Sequence, residues 1–162
     1  MLNILILCTG NSARSILGEV LVSDLGQGRL KGYSAGSTPK GQPHPIALET
    51  LRAHGHDTAG LRSKSWDEFA APGAPPIDAV ITVCDSAAAE VCPVWPGAPV
   101  KAHWGLPDPA YIEDPAECRA AFEATYEALK TRIEALLERL EGEDRDALKS
   151  ALATPHSSPT LT

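Results

Sequence analysis

The run Leu2-Asn3-Ile4-Leu5-Ile6-Leu7 passes without a break into Cys8-Thr9-Gly10-Asn11-Ser12-Ala13-Arg14-Ser15, and this junction constrains the fold more than any other stretch of the chain. A short, nearly uninterrupted apolar run predicts a strand buried on both faces, as in the centre of a parallel sheet. After Arg14, Ser15-Ile16-Leu17-Gly18-Glu19-Val20-Leu21-Val22 carries apolar residues at helical spacing. Cys8 is therefore expected at the carboxyl end of a strand, in a loop that feeds a helix N terminus. That is where open α/β sheets bind ligands.

The residue types in the loop point to one chemistry. A tight loop opening a helix turns successive backbone N–H groups inward, and these with the helix dipole make an anion cradle. Such a field favours thiolate, the nucleophilic form of cysteine. Gly10 and Asn11 are expected to supply the positive φ angles of a tight loop. Arg14 brings a planar fork that can bind two oxyanion oxygens at once. Ser12 and Ser15 are suited to cap the helix or donate to the thiolate. Cys8 and Arg14 are thus the candidate catalytic pair, with Thr9, Gly10, Asn11, Ser12, Ala13 and Ser15 as the substrate-binding shell. A buried structural cysteine is the common alternative. It leaves the glycine, asparagine, two serines and arginine unexplained.

At 162 residues the chain holds one domain with a proper core. Residues 1–141 are expected to form a single catalytic α/β domain. Residues 142–162, charged and then rich in Ser, Thr and Pro, are expected to be a flexible tail. A formal net charge of -7 argues against nucleic acid or an anionic membrane as partner, so an anionic substrate must be held by a local cradle. No stretch approaches the ~20 apolar residues of a membrane span, and no basic segment precedes the first strand. A cytoplasmic monomer is expected. Cys8, Cys84, Cys92 and Cys118 then read as catalytic or redox-active more readily than as staples. Neither they nor the scattered His44, His54, His56, His103 and His156 show zinc spacing, so no metal is expected.

Further strands are predicted at Leu30–Ala35, Ile77–Val83 and Pro99–His103, with helices from Pro45 to Gly55 and Pro115 to Leu140 and a short one at Trp66–Ala70. Strands alternating with helices imply a four-stranded parallel sheet with helices on both faces.

Two more constellations lie at strand ends. Cys84 follows the third strand as Cys8 follows the first, and Cys92 comes eight residues later across Ser86-Ala87-Ala88-Ala89-Glu90-Val91. Carboxyl ends of parallel strands share one edge, so Cys84 is expected near the loop. A two-electron reduction needs three thiols: one to make an adduct, one to resolve it as a disulfide, one to carry that disulfide outward. Cys84 and Cys92 as small core residues remain the alternative. In His103-Trp104-Gly105-Leu106-Pro107-Asp108-Pro109-Ala110, Asp108 sits on a proline-bracketed loop at the same edge, suited to protonate a leaving oxygen or to serve as a turn aspartate.

Taken together, Cys8 to Ser15, the Cys84 and Cys92 pair and His103 to Ala110 resemble the arsenate reductases built on the low-molecular-weight tyrosine phosphatase fold, over roughly residues 2 to 140. The resemblance implies a flavodoxin-like three-layer architecture. It implies that Cys8 attacks arsenate, that Arg14 and the loop amides bind its oxygens, and that Asp108 protonates the departing hydroxyl. Cys84 would then attack Cys8 and expel arsenite, and Cys92 would attack Cys84, leaving a disulfide for an external reductant. No tightly bound cofactor is implied. The eight-residue spacing is one longer than in the thioredoxin-linked branch, which leaves the reductant open between thioredoxin and glutathione/glutaredoxin. Where some members carry a further cysteine, this chain has Ala13, a position outside the relay. Asn11, Glu19 and Ser34 are of the types that surround a supporting potassium ion in some members, and Lys64 is a candidate to replace the ion with its ammonium group. Cys118 has no role in that pattern.

The nearest rival is a low-molecular-weight phosphatase that uses the same loop and Asp108 to hydrolyse phosphomonoesters through a thiophosphate intermediate. It has no need for Cys84 and Cys92, and the tyrosine pair of a phosphotyrosine pocket is missing, although Tyr111 is close in sequence. A non-catalytic oxyanion sensor would not need Asp108. A thioredoxin-type oxidoreductase would need two cysteines separated by two residues, and there are none.

Overall fold

Strand β1 (Leu2–Cys8) lies inside a four-stranded sheet because its residues have an apolar partner layer on either side. In the computed structural model, which describes residues 1–83, 99–107, 109–142 and 144–153, the elements are β1, α1 (Arg14–Gly26), β2 (Leu30–Gly36), α2 (Pro45–Ala53), α3 (Asp67–Ala70), β3 (Ala79–Thr82) and β4 (Val100–His103). A 3-10 turn (Pro109–Tyr111) and helices α4 (Pro115–Arg139) and α5 (Arg145–Ala153) follow. The strand order is β2-β1-β3-β4, every pair parallel. The chain turns to opposite sides of β1 to form β2 and β3. Cys8 thus ends the strand at which the sheet's direction of growth reverses, the place where doubly wound sheets take ligands.

Strand periodicity of two divides the core. Leu2, Ile4, Ile6 and Cys8 join Ile16, Leu17 and Leu21 of α1 and Phe122, Leu129 and Ile133 of α4 in one cluster. Leu5 and Leu7 turn the other way, to Ala35, Ile77, Val80 and Phe69 of α3. Both faces are covered, which is why β1 reads as a continuous apolar run rather than an alternating one. Helices α2 and α4 begin where the sequence signals it. Pro45 and Pro115 occupy the first turn, and the Asp114 carboxylate accepts from the Glu117 N–H at 2.9 Å.

The third strand is shorter than predicted. It spans Ala79–Thr82, and just before it the Asp78 N–H donates to the Asn3 carbonyl at 2.9 Å while the Asp78 carboxylate accepts from the Asn3 N–H at 2.8 Å. The first part of the expected flexible tail is also ordered. Residues 145–153 form α5, which buries Leu148 and Ala151 against the α1/α4 side of the core. Arg145 fastens it, its Nε donating to Asp78 at 2.9 Å and its Nη2 to the Ile77 carbonyl at 3.0 Å. No described helix is long and apolar enough to cross a membrane. Arg145→Ala removes both bonds and is expected to lower stability by about 1–2 kcal/mol. Urea unfolding should show the loss, with the amides of α5 gaining most in hydrogen-exchange rate.

Candidate active site

The loop after β1 takes its shape from a segment outside the motif. Thr38, Lys40 and His44 donate their backbone N–H groups to the carbonyls of Thr9, Gly10 and Ser12, at 2.9, 3.0 and 2.8 Å. Each bond draws a loop carbonyl outward. In a trans peptide the N–H lies opposite the C=O, so the amides of Gly10, Asn11 and Ala13 face the concave side. No side chain caps the N terminus of α1, which opens onto the same space. Cys8, Thr9, Gly10, Ser12, Ala13, Arg14 and Lys40 line the resulting pocket.

Asn11 is the hub behind that pocket. It is fully buried and has φ 45°, the left-handed region its short amide tolerates. The backbone N–H of Lys64 donates to Asn11 Oδ1 at 2.8 Å, and an N–H can only donate, so the amide has one orientation. Its Nδ2 then donates to Ser15 Oγ at 2.8 Å. Ser15 Oγ lies 2.9 Å from Cys8 Sγ, a hydrogen bond in which either atom can be the donor, so the buried sulfur is tied through Ser15 to Asn11.

Several expectations are sharpened or corrected. Gly10 was expected at positive φ, but in the loop only Asn11 adopts it. Gly10 instead lies against the side chain of Lys40, whose Cε would stand 3.2 Å from a Cβ at that position, a close but adjustable contact. Ser15 serves the thiol, whereas neither serine caps α1. The side chains of Asn11 and Ser15 engage each other behind the pocket wall, with Thr9, Gly10, Ser12 and Ala13 at its surface. Gly36, Ser63 and Leu106 carry roles the motif did not signal. Gly36 pairs with Cys8 across the sheet, and a Cβ on it would meet Thr9 O at 2.4 Å. Ser63 Oγ donates to the Gly10 carbonyl at 3.1 Å. Arg14, largely buried, donates from Nη1 to the Leu106 carbonyl at 2.7 Å, which holds its guanidinium at the β4 end of the site.

Cys84, Cys92 and Asp108 lie outside the described residues. Val83 donates to the Leu7 carbonyl at 2.9 Å, beside Cys8, and the Leu106 carbonyl meets Arg14 as above. Pro109 accepts a hydrogen bond from the Cys118 thiol at 3.4 Å. Cys8 and Cys118 are both free thiols.

Potassium and the Lys64 ammonium are the two candidates for a cation beside the loop, and the Lys64 ammonium stands next to Glu19. It lies 3.6 Å from Glu19 Oε1 and donates to the Arg62 carbonyl at 2.9 Å. Ser34 Oγ donates to the same Glu19 carboxylate, and Asn11 Oδ1 is taken by Lys64 N–H. The donor set a potassium ion would use is thus engaged, and positive charge is already supplied. The residues do not fit an added ion. Burial holds the Lys64 pKa below its ordinary value, against the attraction of Glu19.

Two outcomes follow from this geometry. Gly36→Ala drives a methyl group into the loop backbone, and is expected to cost roughly 1–3 kcal/mol in urea unfolding and at least about tenfold in any reaction using the loop. Lys64→Ala strips Glu19 of its counter-charge where both side chains are largely shielded, 9% and 21% exposed. A loss of roughly 1–2 kcal/mol is expected. A lysine with a lowered folded pKa binds fewer protons folded than unfolded in the window below the usual 10.5. The wild type should therefore gain stability relative to Lys64→Ala as pH rises through that window.

Residues 3–146 match the family model described as low molecular weight phosphotyrosine protein phosphatase. An arsenate reductase of Bacillus subtilis (strain 168) is 34% identical over 116 residues, covering 72% of this chain and 80% of that protein. A solved arsenate reductase in the phosphate binding state superposes with a TM-score of 0.65 at 25% identity, covering 85% of this chain and 98% of the other. A low molecular weight protein tyrosine phosphatase from T. tengcongensis shares the fold with a TM-score of 0.70 at 22% identity, over 86% of this chain and 100% of its own. A cysteine and an arginine around an amide-lined loop at the end of β1, on a sheet of this order, agree with those matches: the chain belongs to the low-molecular-weight phosphatase family, together with the arsenate reductases built on its fold.

Proposed function

We propose that this protein reduces arsenate to arsenite, as a step in arsenic detoxification, with Cys8 as nucleophile. The observation that carries the reading is the Asn11–Ser15–Cys8 chain of hydrogen bonds, which ends on a sulfur at the floor of an amide-lined pocket with Arg14 in its wall.

In the proposed reaction the Cys8 sulfur attacks arsenic, Asp108 protonates a hydroxyl, and water departs, leaving a Cys8-S–As(V) adduct. Arg14 and the amides of the loop hold the remaining oxygens through this step. Cys84 then attacks Cys8 Sγ. The S–As bond breaks, its electron pair stays on arsenic, and arsenite leaves as the Cys8–Cys84 disulfide forms. Cys92 attacks the Cys84 sulfur, which frees Cys8 as thiolate and leaves a Cys84–Cys92 disulfide. A thioredoxin, or glutaredoxin with glutathione, supplies the two electrons that reopen it. No tightly bound cofactor takes part. The reading includes a cytoplasmic, monomeric protein without nucleic-acid or membrane partners.

The test is arsenate-dependent turnover with thioredoxin and glutaredoxin systems, run beside hydrolysis of an aryl phosphate. Cys8→Ser is expected to lose both activities by about a thousandfold or more. Cys84→Ser should lose multiple-turnover arsenate reduction while sparing ester hydrolysis. Arsenate turnover at the wild-type rate in Cys84→Ser would sink the relay. Ester hydrolysis without arsenate turnover in the wild type, with either donor, would make the protein a phosphatase.

A further inference from the structure

We infer that Lys40 is a second cationic group of the oxyanion site, binding a tetrahedral anion at the mouth of the pocket while Arg14 binds it at the wall. The inference rests on the reading of the Cys8 loop as an oxyanion site and names a residue outside the motif as part of it. Lys40 belongs to the segment that shapes the loop, and its position there is fixed from both sides. Its own N–H donates to the Gly10 carbonyl at 3.0 Å, Thr38 N–H donates to Thr9, and Gly41 N–H donates to Ser63 Oγ at 3.2 Å.

The side chain is directed as well as anchored. Its Cγ, Cδ and Cε atoms would stand 3.4, 3.4 and 3.2 Å from a Cβ on Gly10, so the whole stem runs along the bare face of that glycine. The glycine leaves room for the lysine stem to lie close against the loop. Lying there, Lys40 joins the wall of the pocket that Cys8 and Arg14 share.

Charge gives the placement its purpose. The chain carries a net charge of -7 and repels a dianion at long range. Lys40 and Arg14 are the two cations in the described pocket lining. Arg14 is largely buried and donates to the Leu106 carbonyl, while Lys40 is exposed at the solvent side. An exposed ammonium at the rim contributes to capture and retention of the anion, and its effect is screened by salt.

Inorganic phosphate, a stable stand-in for a tetrahedral dianion, provides the test. Its dissociation constant is measured by calorimetry, and its location by the protection it gives Cys8 against iodoacetamide, read by mass spectrometry of the peptide holding Cys8. Lys40→Met keeps the stem over Gly10 and removes only the charge. It is expected to weaken phosphate binding roughly five- to tenfold and to flatten the dependence on ionic strength. Lys40→Arg should restore affinity to within about twofold, which a purely structural role for the stem would not predict. Equal phosphate affinity in wild type and Lys40→Met, with Cys8 protected in both, would overturn the role of Lys40 and leave the site standing. Failure of phosphate to protect Cys8 even in the wild type would overturn the oxyanion site itself, and Lys40's role with it.

Discussion

The amide of Asn11 is the contact on which the candidate site depends. One side chain fixes three things at once: the left-handed turn of the loop, the position of Lys64 through its backbone, and the placement of Ser15 beside Cys8. A different side chain at this buried position would leave the Lys64 N–H without its acceptor and Ser15 without its donor. Buried groups without partners are costly, so the arrangement tends to be kept whole or lost together. The sheet supplies the rest. Gly36, opposite Cys8, lets the second strand run close enough for the segment after it to bind the loop's carbonyls.

The electrostatics follow the same economy of parts. An acidic protein that handles an anion must concentrate positive potential in one place, and here it does so with backbone as much as with side chains. Inward amides and the open end of α1 act without carrying net charge, so their burial does not incur the penalty of a buried ion. The ionic groups are kept to defined tasks. Lys64 balances Glu19 behind the loop, and Arg14 is braced by a carbonyl.

The strands and their order of alternation with helices were legible because hydrophobic period and capping residues are local signals. Leu2 to Leu7 needed no context, and neither did Asp114-Pro115 ahead of α4. Helix α5 was not legible in the same way. Its Leu148, Ala151 and Leu152 have helical spacing, but the helix stays docked through Arg145 and Asp78, residues far apart in sequence whose pairing only the fold brings about. The same limit applies at the site. Cys8, Arg14 and Ser15 stood out by chemistry and spacing. Gly10 was expected at a positive φ that it does not adopt, and its nearest neighbour is instead the stem of Lys40. Ser63 and Leu106 act through one oxygen each, and no residue-type pattern announces a lone hydroxyl that donates, or a lone carbonyl that accepts, across the fold.

The three outward carbonyl bonds from Thr38, Lys40 and His44 bear on how such a site can be moved or copied. The curvature of the loop is imposed by a template strip some thirty residues downstream, much as a mould sets a casting. A peptide comprising only Cys8 to Arg14 would have no reason to keep its amides convergent, because its carbonyls would turn to water in any direction. A graft of this chemistry onto another scaffold would have to carry the strip as well as the motif. Insertions that lengthen the chain between Gly36 and His44 would reshape the anion cradle without altering a single residue of it.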